Sequence, residues 1–264
     1  MLKIFNRQKG NNNTQIGQQI IGLSPEDATK MAFTIFKEYY PKLRDEALTE
    51  LKRLVSEKLY NVPENCIDPP NPRIAVPVLQ NASITEEQEI RELYANLLAN
   101  SMNKIVKNGV HPGFVEIIKQ LSPDEAKILS YMGLHGTIPI ITLRYVNNEG
   151  GGIDIIRNFS NVGELTGCET PQDIAKYFDN LVRLGLIENS GGLSSLTDKT
   201  KYEPLKTHKL IAPHATVEKA KAHGFDKIDF EEGLVKISSY GDSFCSICLD
   251  THQVIIISSQ ENGE

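Results

Sequence analysis

Tryptophan is absent from the 264 residues of the chain, and tyrosine and phenylalanine contribute only nine residues each. Proteins that bind single-stranded nucleic acid commonly stack the bases on exposed aromatic rings, so the shortage of rings does not favour such a platform. No apolar run approaches the roughly 20 residues that cross a bilayer. The N-terminus, MLKIFNRQKG, is too short and polar for a secretory signal. The sequence therefore predicts neither a membrane span nor secretion.

Cysteine is also scarce, and the four cysteines of the chain are Cys66, Cys168, Cys245 and Cys248. Four such residues are too sparse for a disulfide framework in a chain of this length, so we expect a reduced, cytoplasmic setting. The formal net charge of −6 argues against a general binder of nucleic acid or of anionic membranes. A local basic patch remains compatible with this overall charge.

Two helical patterns joined by a polar junction occupy the middle of the chain. Across residues 90–105 apolar side chains recur at steps of three and four, which is typical of a helix with one buried side. Gly109 is expected to end this helix, because glycine adopts the left-handed conformation without a Cβ penalty. Phe114 restarts an apolar pattern, and Ser122 is the expected N-cap of the next helix. We call residues 100–114 the junction.

Four blocks of sequence resemble the Abi-alpha family of bacterial abortive-infection proteins. In chain order they are LYANLLANSM, VHPGFVEIIKQLSPDEAKIL, LVRLGLIE and LVKISSYGDSFCSICL. The resemblance spans roughly residues 65–250. Abortive infection is a defence in which the infected cell stops a phage from multiplying, so the resemblance implies a role in antiphage defence. It does not supply a mechanism.

The first two blocks contain the residues that we take as candidates for the family motif and for interaction: Asn96, Asn100, His111, Pro112 and Phe114. His111 is the best single functional candidate. A histidine beside proline at a helix junction more often caps a neighbouring backbone group. No cysteine, serine or acid recurs near His111 at the spacing of a nucleophile–base pair. We therefore predict no catalytic residue, and we expect that the chain is not an enzyme.

Cys245 and Cys248 have the spacing of half a zinc site, but such a site needs about four ligands. His252 lies just downstream, and no fourth ligand is evident. Two cysteines three residues apart on a helix share a face and pack well as small apolar groups. We predict core packing for this pair, and no metal or cofactor for the chain.

The N-terminal residues 1–23 differ in composition from the rest, and we expect either a flexible tail or a β-strand leader. The stretch NNNTQIGQQIIGLSPEDATKMAFTIFKEYYPKL resembles a leader segment found at the front of bacterial conflict-system proteins. A polar strand with unsatisfied edges can pair with the same strand of another subunit. We therefore expect a homo-oligomer formed through this leader, and a protein partner as a further contact.

Between the leader and a tail at 251–264 we expect a mainly α protein with two domains. Residues 24–130 form the helical domain, which begins with a helix capped by Ser24 and includes a proline-rich strap at 61–80. Five prolines and the lack of a helical period predict an extended strap. Residues 131–250 form a winged-helix-like α/β domain. In it, β-rich runs at 138–146 and 153–159 predict a β-hairpin around the glycines at 150–152, and residues 191–232 are expected to form a long wing or insertion.

A DNA-binding transcription regulator is the alternative function, because a helix ending in Leu-Gly-Leu-Ile commonly precedes the first strand of a winged helix. A recognition helix normally offers several Lys or Arg side chains to DNA. The exposed positions predicted for helix 172–184 carry two acids and two bases, and they are Gln172, Asp173, Lys176, Asp179, Asn180 and Arg183. We therefore expect no strong nucleic-acid binding and a winged fold that contacts protein. A metal-dependent hydrolase is the third candidate.

Overall fold

Residues 40–249 are the part of the chain that the computed structural model describes, with side chains described from residue 46 onward. The predictions for the leader, for the helix expected from Ser24 and for the tail lie outside these residues. The described residues after Lys42 belong to one compact unit.

Ten α-helices and four β-strands lie between residues 40 and 249. The helices are α1 (Tyr40–Leu59), α2 (Pro72–Ala82), α3 (Gln88–Met102), α4 (Gly113–Ile118), α5 (Pro123–His135), α6 (Val162–Leu165), α7 (Ile174–Arg183), α8 (Glu203–Lys206), α9 (Val217–Ala222) and α10 (Ser239–Cys248). The strands are β1 (Ile138–Val146), β2 (Gly152–Phe159), β3 (Ile187–Asn189) and β4 (Lys227–Ile237). The described chain is thus mainly α, as predicted.

Helix α3 is the centre of the helical layer, because α2, α4, α5 and α10 all pack against it. Every residue from Leu93 to Ala99 is buried, which is the pattern of a helix surrounded on all sides. The helix ends at Met102, earlier than the apolar spacing predicts. Beyond that point Asn103 pairs with Ile67 as an isolated β-bridge, and the side chain of Ile105 is 68% exposed. Pairing with residues distant in sequence therefore replaces the last helical turn.

The proline-rich segment differs from its expectation over residues 72–82, which form helix α2 and not an extended strap. Asn71 caps this helix, and its side chain accepts a hydrogen bond from the backbone N–H of Arg73. Ile74 and Val78 are buried one turn apart on the side of α2 that packs on α3. Prolines interrupt this apolar spacing, so the sequence alone does not reveal the helical period.

Helix α5 begins as the sequence predicts. The Ser122 side chain accepts from the backbone N–H of Glu125, and the Glu125 side chain accepts from the N–H of Ser122. This reciprocal pair satisfies two of the N–H groups that a helix start leaves free. It fixes the direction in which the chain leaves α4.

The four strands form one antiparallel sheet in the order β2-β1-β4-β3. Strand β1 has the predicted bounds and forms the predicted hairpin with β2. Strand β4 begins at Lys227, inside the segment expected to be a long wing or insertion. Ile228 and Phe230 alternate with acids there and pair with Tyr145 and Leu143 of β1. Alternation of this kind is the period of a strand with one buried face.

Helices and sheet share one buried apolar cluster, which runs along the sequence from Leu51 to Leu249. Helix α10 contacts α3, α5 and β4, so it lies where the helical layer meets the sheet. The domain boundary expected near residue 130 stays a prediction. The candidate residues identified from the sequence gather around α10.

Candidate functional site

Two asparagines of α3 hold the C-terminal end of α10. Asn96 Nδ2 donates to the carbonyl oxygen of Cys248 at 2.9 Å, and Asn100 Nδ2 donates to that of Ile247 at 2.7 Å. The last four carbonyl groups of a helix have no partner within the helix, so the two amides satisfy groups that would otherwise be left free. Asn96 and Asn100 are four residues apart and therefore lie on the same side of α3.

Aromatic rings from the junction contact the first turns of α10. The ring centroid of Phe114 lies 5.6 Å from that of Tyr240 and 5.4 Å from that of Phe244, the latter edge-to-face. Edge-to-face pairs are a favoured arrangement of aromatic rings. Phe114 is only 1% exposed. It therefore anchors the junction to α10 through packing.

His111 forms a hydrogen bond with a backbone group two residues further along the chain. Its Nδ1 accepts a hydrogen bond of 3.0 Å from the N–H of Gly113, and its ring lies 6.3 Å from that of Tyr240. A Cβ atom at Gly113 would come within 2.8 Å of His111 Nδ1, so a larger residue there would displace the His111 ring. Pro112 is the N-cap residue of α4 and has the αR conformation. His111 thus binds a backbone N–H group at the start of α4, and its functional role stays a prediction.

The N-terminal end of α10 is fixed by a close backbone approach. The Ser238 hydroxyl accepts from the N–H of Gly241 at 2.9 Å and caps the helix. A Cβ atom at position 241 would lie 1.9 Å from the carbonyl oxygen of Leu186, so α10 approaches this backbone as only glycine permits. The Ser238 N–H also donates to the same oxygen at 3.0 Å.

All five candidate residues thus lie in the two segments that hold α10, three at one end and two at the other. The sequence analysis did not identify their partners Tyr240, Phe244 and Cys248 as part of the site. Tyr240 and Phe244 are four residues apart, which places both rings on one side of a helix. This spacing could have identified them.

The model of the abortive infection alpha family matches residues 43–248, which include the candidate residues and all of α10. The chain belongs to the abortive infection alpha family. No curated protein matches it. Among solved structures, the chain is similar to an uncharacterized protein from the hydrocarbon-degrading marine bacterium Alcanivorax borkumensis SK2. The identity is 22%, the TM-score is 0.36, and the match covers 51% of this chain and 90% of that one. A score this low carries no argument about function.

The cysteine pair of this abortive infection alpha protein is buried in the core. Cys245 is 5% exposed and Cys248 is fully buried. Burial, and to a lesser extent the charge of Asp242, raises the pKa of the Cys245 thiol to about 12. Burial also raises the pKa of Cys248 well above its usual value. Because the thiolate is the form that attacks electrophiles and binds metals, this environment suppresses both activities. The core-packing prediction is confirmed.

The buried carboxylate of Asp124 joins α5 to α7. Asp124 accepts hydrogen bonds from the N–H of Glu169 at 3.0 Å, from the N–H of Thr170 at 3.3 Å and from the Tyr177 hydroxyl at 2.9 Å. Burial alone would raise the pKa of Asp124, but these hydrogen bonds outweigh it and lower the pKa below the usual value. Burial raises the pKa of Tyr177 to about 12, so its hydroxyl stays protonated and donates. These hydrogen bonds connect the start of α5 to α7 and to the segment that precedes it.

Helix α7, the expected recognition helix of the abortive infection alpha protein, uses two of its polar side chains in contacts within the chain. Asn180 Nδ2 donates to Glu125 Oε1 at 2.8 Å and to the carbonyl oxygen of Gln120 at 3.1 Å. Arg183 Nη1 donates to Gln120 Oε1 at 3.0 Å. Both side chains are therefore engaged by the segment that joins α4 to α5.

Between residues 46 and 249 no group of three or more His, Cys, Asp or Glu side chains has an arrangement that could hold a metal ion. Over the same part of the chain, no helix has the length and apolar character needed to cross a bilayer.

Proposed function

We propose that this abortive infection alpha protein acts in antiphage defence, in the cytoplasm, by binding and self-association and not by catalysis of its own. Family membership over residues 43–248 supports the defence role. The binding mode is supported by the hydrogen bonds that the candidate polar side chains make. Asn96 and Asn100 hold carbonyl groups of α10, and His111 Nδ1 holds the N–H of Gly113. These side chains position a helix.

Because these side chains hold the inner side of α10, its outward side remains exposed. Ser239, Asp242, Ser243 and Ser246 are exposed. The spacing is three residues for 239/242 and 243/246 and four for 239/243 and 242/246, so the four residues share one side of the helix. Tyr240, which is 40% exposed, lies at its edge. Tyrosine is enriched at protein interfaces because it combines a large apolar ring with a hydroxyl group. We assign this side of α10 to contact with a protein partner.

Self-association is assigned to the leader, residues 1–23. This part of the proposal rests on the composition of the leader and on its resemblance to the leaders of conflict-system proteins. An Asn/Gln-rich strand offers backbone donors and acceptors along both edges, which a second copy can satisfy.

A winged-helix arrangement over residues 131–250 is also part of the proposal. It is supported by the order of α6, α7, β3 and β4 along the chain and by the sheet order, in which β4 lies between β1 and β3. Asn180 and Arg183 are hydrogen-bonded to Gln120 of the same chain, which disfavours their use in DNA recognition.

The proposed function is tested by phage infection of bacteria that carry the chain or an empty vector. We expect the chain to reduce the efficiency of plating, and infected cells to stop growing without releasing phage. Normal plaques and a normal burst size across a diverse phage panel would contradict the defence role. A sequence-selective mobility shift of duplex DNA at nanomolar protein would instead support the regulator, since nonspecific binding lies at about 10⁻⁴–10⁻⁶ M.

A further inference from the structure

A cavity of about 360 Å³ lies between α3 and α5, beside the C-terminal end of α10. Its apolar lining includes Leu93 of α3, Ala126 of α5 and Leu249, the residue that directly follows α10. Glu92 and Lys127 are among the polar side chains that complete the lining. A cavity with apolar walls and a few polar groups suits an occupant that is itself mainly apolar.

Apolar side chains continue beyond the cavity on α5 and α6. Leu134 is 51% exposed and lies three residues after the lining residue Tyr131, on the same side of α5. Leu165 is 59% exposed and directly precedes the lining residue Thr166 at the end of α6, which packs against α5. Exposed apolar side chains that group around a cavity are typical of an interaction site.

The sequence that follows Leu249 contains an apolar run at residues 254–257. Its members are four consecutive β-branched residues, Val254, Ile255, Ile256 and Ile257, and residues 251–260 contain no Asp, Glu, Lys or Arg. Three or four consecutive apolar residues in contact with water are unfavourable unless they bind another surface. Only residues 250–253 separate the run from Leu249. An extended chain advances about 3.3 Å per residue, so the run can reach a cavity that Leu249 itself lines.

We propose that residues 254–257 dock into this cavity and onto the apolar side chains beside it, within the same chain. The aliphatic side chains of the run match the wall formed by Leu93 and Leu249. A peptide segment also needs partners for its backbone, and the lining offers both kinds: the Glu92 carboxylate accepts from N–H groups, and Lys127 donates to carbonyl groups.

The short connection to α10 favours the chain's own segment over that of a second copy. A segment held by a short linker has an effective concentration on the order of mM at its site, which a separate molecule reaches only in concentrated solution. The segment also continues directly from the helix end that Asn96 and Asn100 hold. Docking therefore adds contacts at the C-terminal end of α10. This inference does not depend on phage defence.

Tryptophan fluorescence tests the proposal, because the chain has no tryptophan of its own. Ile256→Trp introduces one indole into the run, and Asn262→Trp, six residues further along, is the matched control. In the 264-residue chain, we expect the indole of Ile256→Trp to emit at shorter wavelength and to be quenched less by acrylamide than that of Asn262→Trp. Both differences should be unchanged on dilution, since docking occurs within one molecule.

A second substitution tests whether the cavity is the site. Ser130→Arg, combined with Ile256→Trp, places a large charged side chain in the lining and is expected to abolish the shift and the protection from acrylamide. Ser56→Arg combined with Ile256→Trp is the control. Ser56 and Ser130 both lie on helices, and both hydroxyls donate to the carbonyl oxygen four residues earlier.

The proposal is overturned by any of three results. The first is equal emission and quenching of Ile256→Trp and Asn262→Trp. The second is a shift that disappears on dilution, which would assign the cavity to the segment of another copy. The third is a shift that survives in a folded Ser130→Arg variant, which would place the segment on another surface. The first two comparisons leave the cavity unaltered, so they decide the question even where Ser130→Arg folds poorly.

Discussion

Asn96 donates a hydrogen bond of 2.9 Å from Nδ2 to the carbonyl oxygen of Cys248, a residue 152 positions further along the chain. The bond joins the first of the four family blocks to the last. Asn96 is buried, and Cys248 is the final residue of α10. The position of α10 therefore depends on a side chain of the central helix α3.

Replacing Asn96 with alanine is expected to destabilise the fold by about 1–3 kcal/mol, because the buried carbonyl group of Cys248 loses its donor. The measurement is the free energy of unfolding in urea. The control is Asn148→Ala, in the β1–β2 turn, where the side chain is outside the buried core and the expected change is within about 0.5 kcal/mol. Equal effects of the two substitutions would show that the bond to Cys248 does not stabilise the fold.

Replacing Phe114 with alanine is expected to cost about 3–5 kcal/mol, because a fully buried ring that packs on Tyr240 and Phe244 is removed. Replacing the exposed His111 should cost no more than about 1 kcal/mol, because water can replace its hydrogen bond to Gly113. Thermal unfolding measures both changes. A His111→Ala variant that melts normally but no longer protects cells from phage would show that His111 is itself a contact residue.

The Asp124 network predicts a specific dependence of stability on pH. The pKa of Asp124 is lowered in the folded chain, so its ionised form favours folding at pH values above the unfolded pKa. This contribution is lost as the pH falls through the lowered folded-state pKa. We expect the stability difference between the unaltered chain and Asp124→Asn to be constant near neutral pH and to shrink in acid. A difference that stays the same from neutral pH down to strongly acidic pH in urea unfolding would refute this role.

Deleting residues 1–22 is expected to lower the mass of the particle in solution, because the leader is proposed to pair with the leader of another subunit. Size-exclusion chromatography with light scattering measures the mass of both forms. The same monomeric mass before and after the deletion would rule out self-association through the leader.

Local patterns in the sequence were sufficient to predict several elements of the fold. Strand β1 has the predicted bounds because a β-rich apolar run stands between turns, and Ser122 caps α5 as expected because capping involves residues three apart. The C-terminal limit of α3 could not be predicted in this way, since it depends on the pairing of Asn103 with the distant Ile67.

The candidate site shows the same division between local and distant contacts. Asn96, Asn100 and Phe114 were identified from the sequence, and the hydrogen bond of His111 is to its near neighbour Gly113. The partners on α10 follow only from the packing of α10 on α3, which brings together segments separated by more than a hundred residues. Sequence patterns within one helix contain no information about that contact.

In the proposed function, the junction and α3 position α10 so that its outward side binds a partner. The most direct test is phage protection by Ser243→Arg, which places a large charged side chain on that exposed side. Ser56→Arg is the matched control, because Ser56 is also exposed and both serine hydroxyls donate to the carbonyl oxygen four residues earlier. We predict that Ser243→Arg keeps the melting temperature and loses protection, whereas Ser56→Arg keeps both. Full protection by a folded Ser243→Arg variant would contradict this role of α10.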